Sequence, residues 1–404
     1  MHIVLFDGLT RGRLCPLTAT RAIADIRIGI LTIKERWELI TNLEVFVLTE
    51  PHLQMLYETL PGGDCLFINA SVLPTSEIIG AVLNLSVGSS IIDDQGFIAG
   101  RSEENFRSAE GLQNSNSISK ALTISTQKRL KYPHEIFQWN DEFLRFDFSL
   151  LTKDRVSQTL PPSVQTQHPN NIFVEAGADI SPCFLNASAG PIYIGKDVTI
   201  MEGCMLRGPI GLCEGATLKM GAKIYGGTTA GPHCVLGGEI KNSIFFANSN
   251  KAHDGYIGDS VIGEWCNLGA GTSNSNVKNT AGEVMQWNKF DNEYIAAGKK
   301  CGAIIGDYTR TAINTSINTG TVIGVACNVF GEGLTPKYIP DFSWGMSQPV
   351  RYNFDKAVVD IDNWKKMKQK TITDQETKVL KHIFENPDGN IITDHSSQNI
   401  TTEK

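Results

Sequence analysis

Small or aliphatic side chains recur at every sixth position along the middle of this chain. The uninterrupted run is Ile194, Ile200, Leu206, Leu212, Leu218, Ile224, Ala230 and Leu236. A period of six fits neither an α-helix nor a flat sheet, in which side chains repeat every 3.6 and every two residues. It predicts a solenoid of triangular coils, in which three short parallel strands per turn each point one residue inward.

Weaker matches to the same period extend the solenoid in both directions. They fall at Val174, Ile180 and Ile192 before the run and at Ile305, Thr311, Ile317, Ile323 and Val329 after it. Glycines such as Gly203 and Gly221 follow the inward positions, where tight corners favour a residue without a side chain. We therefore predict a parallel β-helix over residues 171–345. The period lapses between residues 274 and 292, which predicts a loop that projects from the coils.

The chain before the repeats has the pattern of an α/β domain. Apolar runs at residues 3–6, 45–48 and 65–68 are typical of short buried strands, and residues 33–40 have helical spacing. This predicts a Rossmann-like domain over residues 1–160, followed by a linker rich in Pro, Ser and Asn over residues 161–170. Residues 346–404 are predicted as a helical and polar tail, with helices at 354–370 and 373–384 and a frayed last dozen residues.

Charge and composition narrow the class of protein. The 404 residues carry a formal charge of −7, which argues against nucleic acid or an anionic membrane as the main partner. Nine cysteines form no Cys-x-x-Cys pair, so we expect buried thiols in a reducing compartment rather than disulfides or a metal site. The sequence shows neither a signal-peptide pattern nor an apolar run of 18 residues. We expect a cytoplasmic protein.

Three short motifs with fixed mutual spacing follow the regular repeats. They are Glu239-x-Lys241, His253-x-x-Tyr256-x-Gly-Asp and Asn267-x-Gly-Ala270-Gly-Thr. Together they resemble the acetyltransferase half of the bacterial bifunctional N-acetylglucosamine-1-phosphate uridyltransferase / glucosamine-1-phosphate acetyltransferase family. That family joins a sugar nucleotidyltransferase domain to a trimeric left-handed β-helix. The resemblance implies the same two-domain fold, here with a shortened first domain, and a homotrimer.

The resemblance also implies a reaction, the acetyl-CoA-dependent acetylation of an amino-sugar 1-phosphate, glucosamine 1-phosphate above all. His253 matches the family's general base, and an imidazole with a pKa near 6.5 suits deprotonation of an amine. Glu239 matches an acidic residue beside the base. The backbone N–H of Ala270 matches the donor that stabilises the oxyanion.

The same resemblance assigns sugar-phosphate binding to five polar side chains: Lys223, Lys241, Tyr256, Asn267 and Asn276. Lys223 stands where the family has arginine, so a point charge replaces a bidentate fork. A further family lysine lies beyond Asn276. Either Lys278 or Lys289 could match it across the long loop.

The first domain only partly resembles a nucleotidyltransferase. In the segment 7–18 after the first strand, Arg13 matches a nucleotide-binding arginine, and Lys34 matches the downstream lysine that would hold a substrate such as UTP. Asn69 stands where the family presents an aspartate to Mg²⁺, and a neutral amide is a poor anchor for that ion. Asp93 and Asp94 are the other candidate carboxylates.

Two other readings of the whole chain stay open. In the first, the protein is a sugar-1-phosphate nucleotidyltransferase whose β-helix serves only for oligomerisation and regulation. In the second, it is a zinc-dependent hydratase, but the repeat region offers only His233 and His253, which are separated by twenty residues. The motifs around His253 favour acetyl transfer over both.

Overall fold

An α/β domain forms the amino-terminal part of the computed structural model, which describes residues 1–113, 115, 118, 120–347 and 349–387. Its mixed six-stranded sheet has the order β2-β1-β3-β5-β4-β6. β1 pairs in parallel with β2 and β3, whereas β5 runs antiparallel to β3 and β4. The strands are β1 (His2–Phe6), β2 (Val45–Leu48), β3 (Cys65–Asn69), β4 (Ser89–Asp93), β5 (Gly96–Ser102) and β6 (Lys120–Thr123).

Five helices accompany this sheet among the described residues. They are α1 (Ile33–Thr41), α2 (Pro51–Gln54), α3 (Ser76–Leu83), α4 (Ala109–Gln113) and α5 (His134–Thr152), with 3₁₀ turns at Arg11–Leu14 and Ile23–Asp25. Thr32 caps the start of α1: its side chain accepts from the Glu35 N–H while the Glu35 carboxylate accepts from the Thr32 N–H. This reciprocal capping box explains why the helix starts there.

The repeat region folds into a β-helix with three faces. The first face contains the strands Ile172–Val174, Ile192–Ile194, Ile210–Leu212, Thr228–Ala230, Ala303–Ile305, Thr321–Ile323 and Tyr338–Ile339. The second contains Asp179–Ile180, Thr199–Ile200, Thr217–Leu218, Val235–Leu236, Asn250–Lys251, Asn267–Leu268, Arg310–Thr311, Asn328–Val329 and Ser343–Trp344.

The third face contains Gln165–Gln167, Phe184–Asn186, Met205–Arg207, Lys223–Ile224, Ser273–Asn274 and Ser316–Ile317. Two longer strands, Glu239–Phe245 and Tyr256–Ile262, run from the third face across a corner into the first. Asn242 and Asp259 bend these strands with φ of 47° and 50°. Both residue types tolerate the left-handed region.

The register of the strands confirms the predicted period. Ile192 pairs with Ile210 and Ile210 with Thr228, so that one regular coil has 18 residues. All eight residues of the uninterrupted hexad run are buried. Gly221 takes a φ of 71° at a corner, as the prediction requires. Gly195 has no positive φ and is needed for space instead, since a Cβ there would lie 2.8 Å from the Leu212 oxygen.

The segment predicted as a projecting loop contains a β-hairpin. Val261 pairs with Ile304, so that 43 residues separate neighbours that are 18 apart in a regular coil. The strands Met285–Asn288 and Glu293–Ala296 form the hairpin. Phe290 near its tip lies over Gly12, where a Cβ would come within 2.2 Å of the phenyl ring. The insertion therefore reaches back to the first domain.

The first domain packs on the outside of the first face. Ile244, Val261 and Ile304 of the β-helix share one apolar core with Phe137 and Phe143 of α5. The buried Asn140 amide donates to the Gly227 oxygen at 2.7 Å and to Thr229 Oγ1 at 3.0 Å. Because buried polar groups in this interface are paired across it, the two parts form one packed unit.

A buried cluster of ion pairs forms a second contact between the two domains. The Arg21 guanidinium pairs with Asp307 and, at 2.8 Å, with Glu264. Arg21 is 6 % exposed and Asp307 is 2 % exposed. A buried charge of this kind is stable only with its counter-charges present.

Two helices close the described part of the chain, α6 (Phe354–Lys366) and α7 (Asp374–Glu385). They pack on corner residues between the first and second faces, where Trp265, Tyr308 and Phe342 adopt φ of 57°, 62° and 55°. Val350–Arg351 adds an antiparallel strand at the end of the second face, and Pro169–Asn171 forms a 3₁₀ turn at the start of the β-helix. The predicted fold, an α/β domain followed by a left-handed parallel β-helix and a short helical tail, is confirmed.

The strands mark where the coils begin and end. Gln165–Gln167 pairs with Phe184–Asn186, so the first strand of the third face lies within the segment 161–170 that the sequence analysis treats as a linker. The sequence does not predict this strand, because all three of its residues are polar and exposed and the residues around it are rich in proline. The predicted frayed end, the last dozen residues, lies outside the described residues.

Candidate active site

His253 lies on a corner of the β-helix between the second and third faces. The corner 252–255 joins the strand Asn250–Lys251 to the strand that begins at Tyr256. The corner of the next coil contains Ala270 and stacks directly on it, because the Gly271 N–H donates to the Asp254 oxygen at 2.9 Å. Residues 253 and 270, seventeen positions apart in sequence, are thereby brought onto adjacent corners.

A cleft of about 500 Å³ opens beside these two corners. His253, Asn267 and Ala270 line it together with side chains of the second face and with the corner residue Trp265. The end of α6 and the residues directly after it supply the opposite wall through Trp364, Met367 and Lys368. The structure thus unites three of the residues that the sequence analysis selected, and adds a wall from the tail that it did not foresee.

Several polar atoms of this cleft have no partner among the described residues. The Ala270 N–H makes no hydrogen bond, although the N–H groups of its neighbours Gly269 and Gly271 do. The buried side-chain oxygens of Asn248 and Asn250 also accept none. Since unpaired buried polar groups are costly, these atoms mark a surface suited to a ligand with both donors and acceptors.

The other predicted residues lie around the corner, on the third face. Lys223, Glu239 and Tyr256 occupy the same register position on three successive strands, and Lys241 lies two residues further along the middle strand. None of these four lines the cleft of the second face. Lys223 and Lys241 are exposed. The corner that carries His253 therefore separates two groups of predicted site residues.

Asn276 connects Tyr256 to the bend of its strand. The Asn276 amide donates to the Tyr256 hydroxyl at 3.1 Å and to Asp259 Oδ2 at 2.5 Å, and the Asn242 amide donates to Asp259 Oδ1 at 2.7 Å. Burial, reinforced by the charge of Asp259, raises the pKa of Tyr256. The phenol is held in its neutral form, able both to donate and to accept a hydrogen bond.

Lys251 is the functional candidate that the sequence analysis missed. It is fully buried at an inward position, paired in register with Leu236 of the preceding coil. Its ammonium group donates to the backbone oxygens of His253 and, at 2.8 Å, of Asp254. Burial lowers its pKa to about 8. A lysine at an inward position, where the preceding coil has a leucine, is the sequence signal that could have identified it.

The structure separates the two lysines considered for the position beyond Asn276. Lys289, in the hairpin, pairs with Asp341 at 2.8 Å, a contact toward the end of the β-helix. Lys278 lies two residues after Asn276 and is half-buried. Lys278 is therefore the better candidate for a contact near Tyr256.

A second cleft, of about 440 Å³, lies in the first domain at the carboxyl ends of β1 and β3. Its lining includes the segment after β1, with Arg13, and the end of β3, with Asn69. Lys34 is not part of it; its ammonium group lies 3.8 Å from Glu38 and Glu58 on another side of the domain. Of the two predicted nucleotide-binding residues, only Arg13 reaches the cleft.

The residues of the second cleft do not fit Mg²⁺. Asn69 Oδ1 accepts from the backbone and side chain of Ser71, and no carboxylate lines the cleft among the described residues. Asp93 is engaged by Arg129 and by two backbone N–H groups, while Asp94 accepts from Thr126 at the surface. Carboxylates normally anchor this ion, and neither aspartate is available to it.

Among the described residues, no group of three or more His, Cys, Asp or Glu side chains is placed to hold a metal ion. No described helix is both long and apolar enough to cross a membrane.

Comparison with known proteins confirms the resemblance that the motifs indicate. Residues 3–156 match the family model described as sugar nucleotidyl transferase. The bifunctional protein GlmU of Methanococcus aeolicus is 42 % identical over 86 residues, which are 21 % of this chain and 20 % of that protein.

A bifunctional sugar-1-phosphate nucleotidylyltransferase/acetyltransferase of Sulfurisphaera tokodaii is 38 % identical over 93 residues, 23 % of each chain. The chain thus spans about a fifth of the length of the curated relatives it matches. Among solved structures, the polysialic-acid-specific acetyltransferase NeuO covers 47 % of this chain with 86 % of its own, at 13 % identity and a TM-score of 0.28.

Proposed function

We propose that this protein transfers an acetyl group from acetyl-CoA to the amine of an amino-sugar 1-phosphate, with glucosamine 1-phosphate as the first candidate. The observation that carries the proposal is the cleft in which His253, Asn267 and Ala270 meet. One of the relatives named above is a bifunctional sugar-1-phosphate nucleotidylyltransferase/acetyltransferase, in keeping with this chemistry. Such a reaction belongs to the synthesis of nucleotide sugars and cell-envelope precursors.

In this proposal His253 acts as general base. The imidazole accepts a proton from the sugar amine as the nitrogen attacks the thioester carbonyl carbon, forming the C–N bond. The carbon–sulfur bond then breaks, and the imidazolium returns the proton to the thiolate of coenzyme A. A positioned base of this kind contributes roughly 10²–10⁴-fold to the rate.

Ala270 would supply the electrostatic part of catalysis. As the carbonyl carbon becomes tetrahedral, negative charge develops on its oxygen, and an N–H group aimed at that oxygen stabilises it. The Ala270 N–H has no partner among the described residues and lies on the corner stacked next to His253. It is therefore available without breaking a hydrogen bond of the coil.

The cleft offers groups that suit the arm of an acyl-CoA. The unpaired oxygens of Asn248 and Asn250 can accept from amide N–H groups such as those of the pantetheine arm. Trp364 and Met367 supply apolar surface on the opposite wall, and Lys368 adds a cation. Small-molecule sites commonly combine an apolar lining with a few fixed polar groups in this way.

The sugar phosphate would lie against the third face, near Lys223, Lys241, Tyr256 and Asn276, with Glu239 beside them. This face is open in a single chain, and a second copy would close it. Phe184, Met205 and Tyr225 are exposed there, by 50 %, 45 % and 39 %, on the flat outer surface of the third-face strands. Such a patch suits association, and we propose a homotrimer, which native mass spectrometry of the full chain would test.

Incubation of the purified chain with acetyl-CoA and a panel of amino sugars tests the proposed reaction. Thiol release is followed with a disulfide reagent, and the product is identified by mass spectrometry as the substrate plus an acetyl group. We expect turnover with glucosamine 1-phosphate, and none with N-acetylglucosamine 1-phosphate, whose nitrogen is already acylated. Turnover of no amino-sugar phosphate in the panel would contradict the proposal.

A second function, sugar-1-phosphate nucleotidyl transfer in the first domain, is favoured by the family match over residues 3–156. The setting of Asn69 argues against it, because the usual carboxylate for Mg²⁺ is missing from the cleft. Pyrophosphate release from UTP, Mg²⁺ and a sugar 1-phosphate measures it directly. The β-helix would be only an oligomerisation module if this activity is present while acetyl transfer is absent.

A further inference from the structure

The cleft at the carboxyl ends of β1 and β3 carries positive charge without a lining carboxylate. Arg13, Arg129 and Lys131 line it, together with Gly8, Thr10 and Ser71. The Lys131 ammonium makes no hydrogen bond or ion pair among the described residues. Ligands of open α/β sheets bind in this position, outside the carboxyl ends of the parallel strands.

Arg129 provides the buried part of this charge. It is 9 % exposed, and its side chain pairs with Asp93 and donates to the oxygens of Gly96 and Phe97. Its Nε has no partner among the described residues. The guanidinium is thus fixed in place at the wall of the cleft.

Arg13 is shared between this cleft and the β-helix. Its Nε donates to Asp291 at 2.9 Å, and the Asn288 amide donates to the Arg13 backbone oxygen at 2.9 Å. Both partners belong to the hairpin inserted in the β-helix. The two terminal nitrogens of Arg13 make no hydrogen bond among the described residues. An arginine in this state can turn its remaining donors to a phosphate.

We propose that this cleft binds the phosphates of a nucleotide through Arg13, Arg129 and Lys131 without a divalent metal, and that bound phosphate competes with Asp291 for Arg13. The three cationic side chains neutralise the negative charge of the phosphates. In other nucleotide sites Mg²⁺ does this, and a carboxylate holds the ion. Loss of the Arg13–Asp291 pair breaks one of the contacts between the first domain and the hairpin of the β-helix. This proposal is independent of acetyl transfer.

Isothermal titration of the full chain with UTP, in EDTA and in Mg²⁺, tests the metal independence. We expect binding in EDTA that is no weaker than in Mg²⁺, and none of uridine, which has no phosphate. Inorganic phosphate and glucose 1-phosphate as titrants distinguish a site for any phosphate from one for nucleotides. Binding that is lost in EDTA, or absent in both buffers, would overturn the proposal.

Variants on the two sides of the Arg13–Asp291 pair sharpen the test. Arg13→Ala and Lys131→Ala should each raise the Kd for UTP about tenfold, the loss expected when a charge-assisted bond to phosphate is removed. Asp291→Asn should lower the Kd several-fold, because it frees Arg13. Lys128→Ala is the matched control; that lysine pairs with Glu142 and lies over Trp139, away from the cleft. An unchanged Kd in Arg13→Ala and Asp291→Asn would refute the assignment.

Discussion

The ammonium group of Lys251 lies inside the β-helix and binds the backbone oxygen of His253. It also donates to the Asp254 oxygen, 2.8 Å away. Two hydrogen bonds from one buried cation thereby hold the corner on which the proposed base stands. The coils on either side place an aliphatic side chain at this inward position, Leu236 before Lys251 and Leu268 after it. Lys251 is the exception, and it lies directly beside the corner that carries His253, the proposed base.

Replacing this cation should impair acetyl transfer more than folding. Lys251→Met keeps the length of the side chain but leaves two corner oxygens without their donor. We expect kcat to fall about tenfold or more, because small displacements of a catalytic group are costly. Leu236→Met, one coil below, is the control and should leave kcat unchanged. An unchanged kcat in Lys251→Met would remove Lys251 from the account.

The same lysine should give the stability of the protein a specific pH dependence. Burial lowers its pKa from 10.5 to about 8. Between those values the unfolded chain binds the proton and the folded chain does not, so this residue makes folding more favourable as pH rises. The free energy of unfolding of wild type relative to Lys251→Met should therefore increase from pH 8 to pH 10. Chemical denaturation at several pH values measures it, and a flat or falling difference would be inconsistent.

Arg21 should be essential for docking of the two domains. Arg21→Ala leaves the carboxylates of Asp307 and Glu264 without their counter-charge, and breaking a buried pair in this way costs about 3–5 kcal/mol. Arg155→Ala is the control, since its pair with Glu175 is exposed on the arginine side and should contribute about 1 kcal/mol or less. Equal losses in the two variants, measured by denaturant unfolding, would argue against a special role for Arg21.

The cysteines should react very unequally. All nine cysteines are free thiols. Cys15 is partly exposed, and the other eight are buried. Burial raises the pKa of Cys234 and of Cys327 to about 12, and the thiolate is the reactive form. Brief alkylation of the native protein at neutral pH should label at most one thiol, and Cys15→Ser should abolish that label. Rapid labelling of several thiols, counted by mass spectrometry, would contradict this packing.

The β-helix could be predicted because its rule is local and repetitive. Each coil buries one residue of every hexad, so that Ile194, Leu212 and Ala230, eighteen residues apart, stack in one column. Strands β1, β2 and β3 and helix α1 of the first domain followed from equally local patterns. His253, Asn267 and Ala270 were selected by the family resemblance, and they line one cleft of the structure because residues one coil apart in sequence become neighbours in space.

What the sequence could not reveal depends on contacts between distant segments. Gly211 has no unusual φ; a Cβ there would come within 2.9 Å of Ile30 and Leu144 of the docked domain, a constraint invisible before the docking is known. The separation of Lys34 from Arg13 likewise depends on how α1 packs. The wall that α6 adds to the cleft, through Trp364, comes from a tail whose pattern showed only helices.

The most direct test of the account compares acetyl transfer by two histidine variants. His253→Asn removes the proposed base, and His233→Asn changes a histidine on another corner of the β-helix that does not line the cleft. With glucosamine 1-phosphate and saturating acetyl-CoA, we predict that kcat falls by roughly 10²–10⁴-fold in His253→Asn and stays at the wild-type value in His233→Asn. Wild-type turnover by a folded His253→Asn variant would contradict the central claim.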